Sequence, residues 1–235
     1  LINQLNLMIN HTESTDLLDA STKNYYLGEA YGLRAYVYFH LLRSWGDVVL
    51  QLYYTNGNSI DIGNPSKAAS SAADVMTQIK KDIQSSEDAF GDDYSFKYGK
   101  CYWSKAATMM LKGEVYLWSG KQMNGGESDY TTAKNALMAV KTAGVGLLND
   151  FKKVFAYDNK ENDEIIFAIH NGRNEYSLWN DQYRSTMVMN QANFGTYYDE
   201  NGALLNETEM ADMSGLIRYQ VEQDLYTQLF REGDT

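Results

Sequence analysis

Gly113-Glu114-Val115-Tyr116-Leu117-Trp118-Ser119-Gly120 closes one helical stretch, and Asp129-Tyr130-Thr131-Thr132-Ala133 opens the next. When the insertion from about Gln122 to Ser128 is set aside, small residues recur where two antiparallel helices have to approach. A residue with little or no side chain lets the second helix come close, and Tyr116 is expected to fill the groove between them. The pattern predicts a helical hairpin. A lone hairpin cannot bury its own apolar face, so stacking on further hairpins is predicted too.

The spacing Gly-x-x-Tyr-x-x-x-Gly followed by Asp-Tyr-x-x-Ala is similar to that of a tetratricopeptide repeat. Its first helix should run from Tyr102 to Ser119, apolar over a wide surface, with a narrow polar stripe of Lys105, Thr108 and Lys112. The partner starts at about Asp129, keeps Tyr130, Ala133, Leu137 and Val140 in register, and stops at Gly144. The same long-helix, insertion, helix layout lies upstream. Asn24 to Trp45 is dense in Tyr, Leu, Val and Phe, and Gly28, Ala30, Gly32 and Ala35 supply small positions. On that helix Glu29, His40, Arg43 and Ser44 share a face, while Arg34 projects about 130° away. Asn64 as N-cap and Pro65 at the first helical position predict a second helix reaching Phe90. A last helix is expected from Leu216 to Phe230.

Between the helices, Val48–Tyr54 and Ile165–Ile169 read as short strands, and Asn171–Asn206 as long loops. The fold class is therefore mainly α, with tetratricopeptide-like helical hairpins, long loops and minor short strands, as a single domain over residues 1–235. One proline, Pro65, leaves the helices uninterrupted, and one cysteine, Cys101, allows no internal disulfide.

Charge and composition exclude several functions. The formal net charge is −11 and the isoelectric point about 4.7, with no cluster of Lys and Arg to track phosphates, so nucleic acid and anionic membrane are not expected partners. His11, His40 and His170 lack metal-ligand spacing. Asp158-Asn159-Lys160-Glu161-Asn162-Asp163-Glu164 puts Lys160 where a calcium loop needs oxygen, so it reads as a solvated turn. No nucleophile motif or phosphate-cradling loop is present. The expectation is a protein without cofactor, metal or catalytic residues.

Buried Arg34 needs carboxylate or carbonyl partners and is expected to be a structural hub. Glu29 is expected to face solvent or pack beside it. The ligand candidates follow the second strand, where Arg173, Asn174, Tyr176, Trp179, Asn180 and Tyr183 crowd one loop. A sugar presents a face of C–H groups and a rim of hydroxyls. Aromatic rings cover the first, and Asn and Arg satisfy the second. Packing beneath another part of the protein is the competing role for Trp179 and Tyr183. Trp45, Tyr53 and Tyr54 are a lesser group, expected to pack between elements.

Three stretches together resemble the SusD/RagB family. They are Gly28-Glu29-Ala30-Tyr31-Gly32-Leu33-Arg34-Ala35 through Gly46-Asp47-Val48-Val49-Leu50, Lys105-Ala106-Ala107 through Val115 to Gly120, and Leu148-Asn149-Asp150-Phe151 through Asn162 to Ile169. Val49 stands where the family pattern has proline. The resemblance covers about residues 24–170. It implies a fragment lacking the N-terminal anchor and the C-terminal half of such a protein. It further implies a lipid-anchored outer-membrane protein of the cell surface that binds oligosaccharide or another nutrient and passes it to a SusC-like TonB-dependent transporter. The membrane would be met only through a lipid anchor missing from this chain. A helical-repeat scaffold for protein partners is the alternative.

Overall fold

In the computed structural model, Asp19, Ser71 and Ser104 each open a long helix in the same way. Their side chains accept from the backbone N–H three residues on, at Thr22, Asp74 and Ala107, pairing one of the donors that a helix start leaves bare. The structure describes residues 1–56, 66–170 and 190–208, with Ala211, Gly215 and Asp224. The α-helices described from end to end are α1 (Ile2–Ser14), α2 (Ala20–Trp45), α3 (Ala72–Phe90), α4 (Lys105–Gln122), α5 (Gly126–Ala139) and the single turn α6 (Phe151–Val154). The chain divides into two compact units, Leu1–His170 and Asn171–Thr235. These six belong to the first. In the second, the described residues include two 3-10 turns, at Gln191–Asn193 and Leu205–Glu207, and a bridge between Tyr198 and Leu204.

The expected hairpins are present: α2 packs on α3, α4 packs on α5, and α3 joins the pairs. Tyr38, Phe39, Val75, Ile79, Ile83 and Val115 form their buried centre. Close approach depends on the small residues. A Cβ on Gly113 would stand 2.4 Å from Leu137, and one on Gly120 would stand 2.5 Å from Tyr130. The ring against Gly120 is thus Tyr130. Tyr116, expected in that groove, faces α3 instead, with the Lys80 ammonium 4.3 Å from its ring centre.

Three other expectations are corrected, and one is completed. α3 begins at Ala72, because Ser71 caps it and the Asp47 carboxylate accepts from the Ala72 N–H at 2.7 Å. Residues 66–71 are not helical, and Asn64 and Pro65 lie outside the described residues. The stripe of Lys105, Thr108 and Lys112 faces inward: Thr108 meets Ser86 at 2.8 Å, Lys112 pairs with Glu87, and Lys105 donates to the Gly91 carbonyl. The segment Val48–Tyr54 is no strand. Val48 makes a single bridge to Ser70, and side chains take over the rest. The Tyr38 hydroxyl donates to the Gln51 carbonyl and accepts from its N–H, while Asn6 donates to the carbonyls of Gln51 and Tyr53. Once side chains satisfy those groups, no neighbouring strand is needed. Ile165–Ile169 likewise forms no ladder, and its Ala168 N–H donates to the Lys100 carbonyl at 2.9 Å.

Helix α1 is an addition to the sequence reading. Leu5 and Ile9 bury against Ala30 of α2, at the spacing expected of one helical face.

Candidate functional site

Trp103, at the mouth of α4, is the residue around which the described pocket is built. Gly32 leaves room for it, since a Cβ there would lie 2.0 Å from the indole nitrogen. That nitrogen donates to Thr108 Oγ1 at 2.8 Å, and the Trp103 backbone N–H donates to Glu29 Oε1 at 3.2 Å. Glu29 is therefore buried and acts as a packing partner. Its burial raises the carboxyl above the ordinary range, against the Tyr25 hydroxyl and the Trp103 N–H, which favour the ionised form.

The locked indole meets Tyr36 on one side and Phe167 on another, with ring centres 5.6 and 5.1 Å away. Between α2, α4 and residues 164–167 runs a groove of about 340 Å3, lined by Tyr36, Trp103, Met110, Glu114, Glu164 and Phe167 among others. Glu114 also borders a second groove of about 370 Å3, where Phe39, Arg43, Leu117, Trp118 and Lys121 come together. There the Arg43 guanidinium lies 4.3 Å from the Phe39 ring centre. Both grooves offer ring faces beside charged rims, a composition suited to holding a partner through stacking and hydrogen bonds.

The frame behind the grooves is held by Arg34. Its Nε and Nη2 donate to the two Asp82 oxygens at 2.8 and 2.7 Å, and its Nη1 donates to Asn6 Oδ1 at 2.9 Å. Burial pulls the guanidinium pKa down, but the Asp82 carboxylate outweighs it and leaves the group raised. The residue is the structural hub the sequence suggested, tying α1, α2 and α3. Residues 158–164 form the expected turn, although Asn162 is buried at its centre and donates to the carbonyls of Val154 and Asn159. Among the described residues no group of three or more His, Cys, Asp or Glu could hold a metal ion, and no helix is long and apolar enough to cross a membrane.

Arg173, Asn174, Tyr176, Trp179, Asn180 and Tyr183 all lie outside the described residues, as does most of the expected helix Leu216–Phe230. What the structure describes is the chain leading to them: Ile166 and Phe167 pack on the helical core. Of the lesser aromatic group, Trp45 and Tyr53 are corrected, while Tyr54 is half-buried and packs between elements as expected. Trp45 and Tyr53 are 71% and 78% exposed, and Tyr54 meets His11 edge-on at 6.4 Å. The sequence reading missed the groove because its residues come from three separate segments, and each resembles ordinary core.

Two stacked helical hairpins with tetratricopeptide-like packing define the class of the first unit. Comparison narrows it. NanU of B. fragilis matches all of this chain at 57% identity with a TM-score of 0.90, and the match covers 46% of that protein. A SusD-like protein of Bacteroides ovatus is 26% identical over 223 residues, 90% of this chain and 39% of the relative. A structure solved with xylogluco-oligosaccharide is 28% identical over 72% of this chain and 33% of its own, with a TM-score of 0.60. No protein-family model matches the chain. The chain belongs to the SusD/RagB family, and it spans less than half the length of these relatives.

Proposed function

We propose that this is a non-catalytic glycan-binding protein of the cell surface, lipid-anchored to the outer membrane, that captures oligosaccharide and hands it to a SusC-like TonB-dependent transporter. The observation that carries this reading is the likeness to a structure solved with xylogluco-oligosaccharide. Its support in the chain is the helical frame from which residues 171–183 continue. Arg173, Asn174, Tyr176, Trp179, Asn180 and Tyr183 are proposed to hold the sugar, the rings on its C–H face and the amides and guanidinium on its hydroxyls. Capture and release need no covalent step.

Titration of the purified chain with xylogluco-oligosaccharide tests the proposal. A saturable change in tryptophan fluorescence and a rise in melting temperature are expected, because a ligand that binds only the folded state stabilises it. Trp179→Ala should weaken binding by roughly three- to tenfold, with the melting temperature of the free protein unchanged. A large loss of stability at unchanged affinity would assign Trp179 to packing.

One feature favours the scaffold reading as well. On α4, Leu117 is exposed in the groove of Trp118 and Arg43, and Trp and Arg are frequent anchors of protein interfaces. No response to any oligosaccharide, together with a tight protein complex weakened by Leu117→Ala, would favour that reading.

A further inference from the structure

The loop joining α3 to α4 carries an aromatic surface that neither the sequence reading nor the grooves use. Tyr98 and Tyr102 are each 49% exposed, with ring centres 5.6 Å apart and ring planes at 60°. They form an open notch. Its floor is Tyr25, buried and set edge-on to Tyr98 at 5.2 Å, and Tyr25 itself rests on Phe90 at 5.9 Å. The Lys97 ammonium lies 5.0 Å from the Tyr25 ring centre and 5.4 Å from that of Tyr98.

The notch is built on a braced loop. The Gly99 N–H donates to the Phe96 carbonyl at 3.0 Å, with Gly99 at φ +92°, a conformation that suits glycine. The Tyr102 N–H donates to the Gly99 carbonyl at 3.4 Å. Beside them, the buried Lys100 donates to the Asn162 carbonyl at 2.7 Å, which pins the loop to the turn at residues 159–162. Half-exposed rings held in place cost little further ordering when a ligand arrives.

We propose that Tyr98 and Tyr102 form a second sugar-stacking site, with Lys97 as a hydrogen-bond donor at its rim. This rests on the glycan-binding reading above and adds to it a contact outside residues 171–183. The chemistry favours a pyranose ring over a protein partner. The contacts that build the notch are those of phenol rings and one ammonium. Each phenol offers a ring face to sugar C–H groups and a hydroxyl to its rim.

The test uses the full chain and xylogluco-oligosaccharide. Tyrosine nitration mapped by mass spectrometry should show Tyr98 and Tyr102 protected by the sugar, while the exposed Tyr53 and Tyr157 react as before. The double variant Tyr98→Ala/Tyr102→Ala should bind roughly three- to tenfold more weakly. Reactive Tyr98 and Tyr102 at saturating sugar overturn the proposal, and the unsubstituted chain supplies that answer even if the variant fails to fold. Protection that arises without sugar, through self-association seen in sedimentation, overturns it also. Trp179→Ala separates the two sites. If that variant binds normally and the tyrosines are protected, the Tyr98–Tyr102 notch stands and the role of residues 171–183 falls. The reverse pattern leaves that role standing and removes the notch. Absence of any sugar binding removes both.

Discussion

Arg34 is 5% exposed and carries a full positive charge, yet each of its three nitrogens donates to an oxygen. Removing one partner of such a pair leaves the other buried and uncompensated. Arg34→Met should therefore cost about 3–5 kcal/mol in urea unfolding. Arg34→Met with Asp82→Leu should cost less than the single change, since no lone charge remains. Sequence alone made Arg34 a hub, because its place on an otherwise apolar helix requires partners. It did not supply Asp82 or Asn6, which lie 48 and 28 residues away.

Glu29 sets a dependence on pH. Its carboxyl is raised by burial and has an ordinary value of 4.5. A carboxyl whose folded-state pKa exceeds its unfolded value costs the fold stability when ionised. That cost is absent below the unfolded value, grows as pH rises from there to the raised one, and is complete above it. Glu29→Gln, which keeps an oxygen for the Trp103 N–H, should raise the melting temperature at neutral pH and give no gain below 4.5. Asp129 works in the opposite sense. Burial raises it, but bonds from Lys80 and Ser119 outweigh this and hold it low, so its stabilisation is lost as pH falls through that lowered value. Melting curves of Glu29→Gln and Asp129→Asn across the acid range separate the two.

Between elements, the seam of α3 and α4 is polar, lined by the stripe that the sequence placed on α4. Ser86 donates to the Gly28 carbonyl, and Thr108 receives the indole N–H of Trp103. Thr108→Val keeps the shape and removes the acceptor, so the buried indole N–H goes unpaired. We expect a loss of about 1–3 kcal/mol, with Thr108→Ser losing less, read from denaturant midpoints. The hairpins themselves were legible because glycine spacing and apolar periodicity are local properties of the chain. What the stripe faces was not legible, because periodicity reports which residues share a face, without reporting what that face meets. The strand expectation for residues 48–54 failed for a related reason. A run of β-branched, apolar and aromatic residues favours an extended backbone, and Tyr38 and Asn6 then took the hydrogen bonds a neighbouring strand would have made.

For the whole molecule, the net charge of −11 opposes any polyanion. No shift of double-stranded DNA is expected in a mobility assay at about 0.15 M salt, where binding depends on neutralising phosphates. A shift would point to a basic surface assembled by the fold from scattered residues.

Residue pattern determined the helical-hairpin class, the buried role of Arg34 and the family resemblance, since each depends on neighbours three or four positions apart or on motifs kept in order. Only the tertiary structure decided that Trp103 rests on Gly32, that α1 closes over α2 through Ala30, and that Tyr98 and Tyr102 form one notch. Those contacts join segments far apart in the chain, and their geometry follows from packing, which no local spacing encodes.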